Sequence, residues 1–174
     1  MHVLVSAASR HEATSEIARA IGAYLKGSGH DVDVMSPGDI ASLDAYDAVV
    51  LGSAVYSGRW LHPATRFLKI HATALATRPV WLFSSGPIGD PPLPAGQQER
   101  LSGIGREIHP RDHRVFRGRL DRTRLGILER SVTSVLNIGD GDYRPWEEIR
   151  AWAGRIAAIL ASEAPVRADA TTPP

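Results

Sequence analysis

Apolar residues recur along the chain in two spacings, every second position in short runs and every third or fourth in longer ones, and the two kinds alternate. His2 to Ser6 (HVLVS) is a short β-branched run and predicts a strand. A polar turn follows, then a helical pattern with Ile17, Ala20, Ile21, Tyr24 and Leu25 on one face. Thr14 or Ser15 is suited to cap that helix, and Gly27 and Gly29 to end it. Asp31 to Met35 (DVDVM) alternates polar and apolar residues like a half-buried edge strand. Ala48 to Ala54 (AVVLGSA) is continuously apolar, as expected of a strand covered on both faces by helices and so at the centre of a sheet.

Pro63 sits near the first turn of a second helical pattern carried by Phe67, Leu68 and His71, and Pro79 to Ser84 (PVWLFS) predicts another buried strand. A glycine- and proline-rich loop from Ser85 to Gly96 leads into a helix over Gln97 to Arg106. His113 to Leu120 reads as a last strand. Trp146 to Ala161 is amphipathic, with Trp146, Ile149, Trp152, Ala153, Ile156, Ile159 and Leu160 on its buried side. Strands alternating with helices imply a parallel sheet with right-handed crossovers and helices on both faces. Five strands in one small α/β domain favour a doubly wound three-layer sandwich of strand order 2-1-3-4-5 over a six-stranded dinucleotide fold. The expected domain spans residues 1–162, with a flexible tail over 163–174.

In that topology ligands sit beyond the carboxyl ends of the strands, beside the switch point between the first and third strands. Three loops lie there. Ala7 to Thr14 (AASRHEAT) joins a strand to a helix N-terminus, where unpaired amides and the helix dipole favour a phosphate. It contains neither G-x-G-x-x-G nor G-x-x-x-x-G-K-[S/T], which argues against the usual dinucleotide and nucleoside triphosphate loops. Gly52 to His62 (GSAVYSGRWLH) offers Gly52 and Gly58 for close backbone approach to a flat ligand, and Tyr56 and Trp60 as stacking faces. Ser84 to Pro92 (SSGPIGDPP) is a rigid turn.

Composition narrows the chemistry. Without cysteine the chain has no disulfide, thiolate metal site or cysteine nucleophile. The histidines show no metal-ligand spacing, His109 and His113 read as solvent-facing, and no serine lies in G-x-S-x-G. Asp140, Asp142, Glu147 and Glu148 precede or open the last helix, where acidic residues favour the dipole. The net charge of +1 conceals an uneven distribution. From Arg100 to Arg130, nine arginines face Glu107, Asp112, Asp121 and Glu129, so this stretch carries +5 and the remainder −4. Such a segment suits an anionic small molecule, an acidic protein, an anionic lipid surface or nucleic acid, or is simply a solvated face in an arginine-rich chain. No stretch has the apolar length of a spanning helix and no targeting pattern opens the chain, so a cytoplasmic protein is expected.

VLVSAASRHEATSEIA, VVLGSAVYSG and GDGDYRPWEEIRAWA together resemble the flavodoxin-like branch that includes menaquinone-dependent protoporphyrinogen oxidase, over nearly the whole chain. The resemblance implies FMN as cofactor. It assigns Ser9, Arg10, His11, Ala13 and Thr14 to the phosphate, Ala54, Val55, Tyr56, Ser57 and Gly58 to one side of the isoalloxazine ring, and Ser85, Gly86, Pro87 and Gly89 to the other. It also implies an oxidoreductase or electron-transfer role, with a redox partner protein or a quinone- or porphyrinogen-like small molecule as partner and no nucleic acid. The insertion it associates with membrane contact falls near Asp121 to Asn137, where Leu125, Leu128, Val132, Val135 and Leu136 form a helical stripe. That stripe suits peripheral membrane contact or packing on the core.

Two departures stand out. The family's phosphate loop carries glycine where this chain has Glu12. A carboxylate beside a phosphate repels it by about 1 kcal/mol or more at contact distance, and a side chain there restricts the backbone. Two readings follow: Glu12 points outward and FMN binds, which is the expectation adopted, or the loop is degenerate and the module binds a protein or another anionic ligand. Flavodoxins are also typically strongly acidic, so a near-neutral chain implies different partners.

Overall fold

The computed structural model describes residues 1–56, 58–86, 107–120 and 141–163. Strand β1 (His2–Ala8) leads to α1 (Ala13–Gly27), and β2 (Asp31–Met35) to a short 3-10 turn (Pro37–Asp39). The long central strand β3 (Ala48–Tyr56) turns back as the two-residue β4 (Arg59–Trp60) before α2 (His62–Ile70), α3 (Ala72–Ala76) and β5 (Val80–Ser85). Then come β6 (Asp112–Phe116), β7 (Arg119–Leu120), β8 (Gly141–Asp142) and the closing α4 (Trp146–Glu163).

The main sheet has the order β2-β1-β3-β5-β6, every neighbouring pair parallel. With the short antiparallel β4 set aside, this is the 2-1-3-4-5 order read from the sequence. Alternation along the strands sorts the core into two layers. Val3, Val5, Val50, Trp81 and Phe83 face α1 and α4, meeting Ile17, Ile21, Leu25, Trp152 and Ile156. Leu4, Val49, Leu51 and Leu82 face the other way, onto Phe67, Leu68 and Leu75. Burial of each such side chain contributes roughly 1.5–3 kcal/mol. An aromatic group of Phe83, Phe116 and Trp152 joins β5, β6 and α4, and the Trp152 indole donates to Asp112 Oδ2 at 2.9 Å. Arg78 ties the segment before β3 to α3, donating from its guanidinium to the carbonyls of Leu43, Tyr46 and Ala74.

Several sequence expectations need correction. The last strand does not run from His113 to Leu120. It breaks at Arg117 and Gly118, and β7 pairs antiparallel with β8 instead, outside the main sheet. Helix α1 starts at Ala13, so Thr14 and Ser15 lie inside it rather than capping it. Ile159 is exposed on α4, and that helix runs to Glu163. The expected helix over Gln97 to Arg106, the apolar stripe within Asp121 to Asn137 and the tail from 164 fall outside the described residues. Among the described residues no helix is long and apolar enough to cross a membrane.

Gly52 lies in the middle of β3, and its role differs from the ligand approach expected of it. A Cβ there would fall 2.1 Å from Cζ of the buried Phe83, so the glycine makes room for that ring. Gly52→Ala is expected to destabilise the fold by about 1–3 kcal/mol through overpacking. Denaturant unfolding checks this, and a midpoint equal to that of the parent chain would show that the ring has room to move.

Candidate functional site

Because β1, β3 and β5 are parallel neighbours, their carboxyl ends deliver the three loops to one edge of the sheet. The first turn runs through Ser9, Arg10, His11 and Glu12 into α1. Glu12 is the N-cap, at φ 66° and ψ −20°, a left-handed conformation that favours glycine. Its side chain forms no cap hydrogen bond. It extends along the helix instead, and Arg19 Nη2 donates to Glu12 Oε2 at 3.3 Å. The first turn of α1 therefore lacks a side-chain cap, and the carboxylate is engaged two turns down the helix. The Ala13 amide donates to the His11 carbonyl at 2.9 Å, and the amides that follow it, with the positive end of the dipole, make such a terminus suited to an anion. The outward orientation expected of Glu12 is the one observed.

Arg10 is exposed and half-buried His11 follows it. The Arg10 guanidinium lies over the Tyr56 ring, 4.8 Å from its centroid, a contact worth about 0.5–1 kcal/mol that joins the first loop to the second. Ala13 is half-buried and Thr14 buried. Ala54 and Ser85 are also buried, paired with each other at the ends of β3 and β5. Val55 and Tyr56 are half-buried at the end of β3, and Gly58 takes φ 70° in the turn to β4. Gly86 rests directly on the second loop: a Cβ there would lie 3.0 Å from that of Val55. The structure thus brings together Ser9, Arg10, His11, Ala13 and Thr14 on one loop, Ala54, Val55, Tyr56 and Gly58 on the next, and Ser85 and Gly86 on the third. Ser57, Pro87 and Gly89 lie outside the described residues.

Trp60 is not a stacking face. It is buried in the core, its Nε1 donates to Ser84 Oγ at 2.9 Å, and Ser84 Oγ also bonds His113 Nε2 at 2.8 Å. His113, expected in solvent, is half-buried in this chain across three strands. Ser53 Oγ accepts from the Leu61 amide at 3.0 Å and fixes the entry to α2.

Sequence reasoning missed Arg144. Its side chain is 3% exposed and lies behind the first turn of α1. Nε and Nη2 each donate to Asp142 at 2.7 Å, one to each carboxylate oxygen, while Nη1 donates to Glu16 Oε2 at 2.6 Å and to the Ala13 carbonyl at 3.2 Å. Arg119 Nη1 lies 3.1 Å from both oxygens of Glu16, and Trp146 covers the Arg144 guanidinium at 4.4 Å. Asp142, expected to serve the last helix dipole, serves Arg144. The pattern Asp-x-Arg was its only local trace.

Burial alone would raise the Glu16 carboxyl, but hydrogen bonding and charge from Arg144, helped by Arg119, bring it below its ordinary 4.5. The hydrogen bond from Arg144 holds Asp142 below its ordinary 3.8, against a smaller effect of burial. Burial opposes the charge on Arg144, yet Asp142 and Glu16 raise its pKa.

A family model described as a flavodoxin domain matches residues 4–144. Among solved structures, the chain is similar to a flavodoxin from the domain Archaea, with 19% identity, a TM-score of 0.62, and 92% of this chain and 99% of that one covered. It is similar also to a flavodoxin of Streptococcus pneumoniae TIGR4, with 16% identity, a TM-score of 0.60 and coverage of 93% and 99%. Rubredoxin oxygen:oxidoreductase from Desulfovibrio gigas gives 14% identity and a TM-score of 0.63, with 92% of this chain but 36% of that one covered. At these identities the structural likeness concerns the fold. No curated protein sequence matches the chain.

Two outcomes are expected from this geometry. Glu12→Gly should raise unfolding stability by up to about 1 kcal/mol, since relief of the left-handed strain exceeds the added chain entropy and the loss of one exposed ion pair. A calorimetric midpoint below that of the parent would contradict the strain. Because Glu16 and Asp142 have depressed folded-state values, their contribution is present above the unfolded values of 4.5 and 3.8 and is lost as pH falls through the folded ones. Stability should decline progressively with acid from about pH 4.5, and less steeply in Glu16→Gln. Parallel pH profiles would remove Glu16 from the account.

Proposed function

The chain belongs to the flavodoxin-domain family, and from that premise we propose that it binds FMN and serves as an electron-transfer protein or oxidoreductase. The observation that carries this reading is the α1 terminus: it has no side-chain cap, and the acidic residue at its start is turned away to Arg19. The donor set fits a mononucleotide. Ser9, Arg10 and His11 with the amides around Ala13 and Thr14 would hold the phosphate. Tyr56 and the backbone of Ala54, Val55, Ser57 and Gly58 would line one side of the ring, and Ser85, Gly86, Pro87 and Gly89 the other. Bound flavin supplies the electron transfer.

The protein's part is to grip, orient and shield. Main-chain groups on three adjacent loops would fix the ligand without a nucleophile, and the hydrogen bonds from Trp60 through Ser84 to the half-buried His113 tie β4, β5 and β6 together. A redox partner protein or a quinone- or porphyrinogen-like small molecule would exchange electrons with the flavin. With a net charge of +1 the chain differs from acidic flavodoxins, and this favours an acidic partner surface.

Isolated protein should show the visible absorbance of oxidised flavin, or acquire it on reconstitution with FMN, and release FMN on denaturation. Folded protein that stays colourless in excess FMN would overturn this reading in favour of a module for another anionic ligand or a protein.

A further inference from the structure

We propose that Arg144 is a positioning residue for the phosphate-holding turn, clamping the first turn of α1 from the far end of the chain. This rests on the reading that the turn holds the phosphate of FMN. Arg144 reaches the turn at two points: the carbonyl of Ala13, the first helical residue, and the carboxylate of Glu16 three residues on. Its own orientation is fixed on three sides, by both oxygens of Asp142 and by the face of Trp146. Arg119 on β7 completes the hold on Glu16, and the pairing of Arg119 with Asp142 across β7 and β8 makes the two arginines parts of one mount.

Two physical arguments favour positioning over other roles. Arg144 is buried while its two carboxylate partners are 30% and 39% exposed, so desolvation of the guanidinium and solvent screening of the carboxylates both reduce the Coulomb gain, and what the contacts supply best is a fixed geometry. The network is also balanced: two arginines meet the two carboxylates of Glu16 and Asp142. It therefore adds little net charge near the turn, and acts on an anion through where it places the amides. Removing Arg144 leaves Glu16 held by the half-exposed Arg119 alone and the Ala13 carbonyl without this donor, which allows the turn to shift relative to the other two loops.

The test uses the full chain and two ligands that share the ring but differ in the phosphate, FMN and riboflavin. Arg144→Met keeps the apolar stem and removes every guanidinium bond, while Glu16→Gln is the milder variant that keeps the position filled. Folding is verified by near-ultraviolet circular dichroism at the titration temperature, and only folded variants are titrated. Arg144→Met is expected to weaken FMN binding by about tenfold or more, the scale on which groups behind a ligand-holding residue act, with riboflavin affinity little changed and the salt dependence of FMN binding unaltered. Glu16→Gln should show the same selective loss to a smaller degree, and it decides the question if Arg144→Met does not fold. Equal losses for both ligands, or FMN affinity equal to that of the parent chain, would overturn the positioning role. Parent protein that binds neither flavin would instead overturn the functional reading on which it rests.

Discussion

The passage from β1 into α1 runs through a left-handed residue, and in this chain that residue is a glutamate. The conformation costs an L-residue about 1–2 kcal/mol relative to its preferred regions, so it persists only where the surroundings over-determine it. Here Arg19 draws the side chain along the helix while the Arg144 network holds the following turn. A left-handed turn into α1 is thus kept without the glycine that favours it. The substitution that most threatened a flavin reading of the sequence becomes a question of side-chain direction.

Support for that turn comes from the other end of the polypeptide. Glu16 and Arg144 lie on opposite faces of one contact although 128 positions separate them in sequence. The contact forms because the parallel topology brings the end of β6, the β7–β8 hairpin and the start of α4 to the same edge as the start of α1. Fold and site are linked at this point, since the crossovers that bury Val3, Val5 and Val50 against α1 and α4 also deliver the arginine.

The fold was legible where burial sets the pattern. Apolar runs and helical stripes gave the elements, because side-chain alternation and periodicity are local consequences of a two-faced sheet, and their number and alternation pointed to the strand order. The three loops followed from topology alone. What escaped depended on contacts distant in sequence. Trp60 shows the same loop composition whether it stacks on a ligand or donates to Ser84, and Gly52 reads as a site glycine until Phe83 is placed against it. Asp142 looked like a charge before a helix and Arg144 drew no reading at all, because nothing in the local sequence points to Glu16. Glu12 was half legible: Arg19 is two helical turns away and on reach alone was a partner that could have been named.

The antiparallel pairing of Arg119 with Asp142 and of Leu120 with Gly141 has an evolutionary consequence. It sets residues 120 and 141 side by side, so the described chain leaves and re-enters the domain at one place. The entropy of closing a loop grows only slowly with its length, so the sequence joining two ends held this way can be lengthened or shortened without shifting the register of β6 or the seat of α4. Changes in length between these two ends are therefore absorbed there, while the contacts of Arg144 with the start of α1 beside them stay constant.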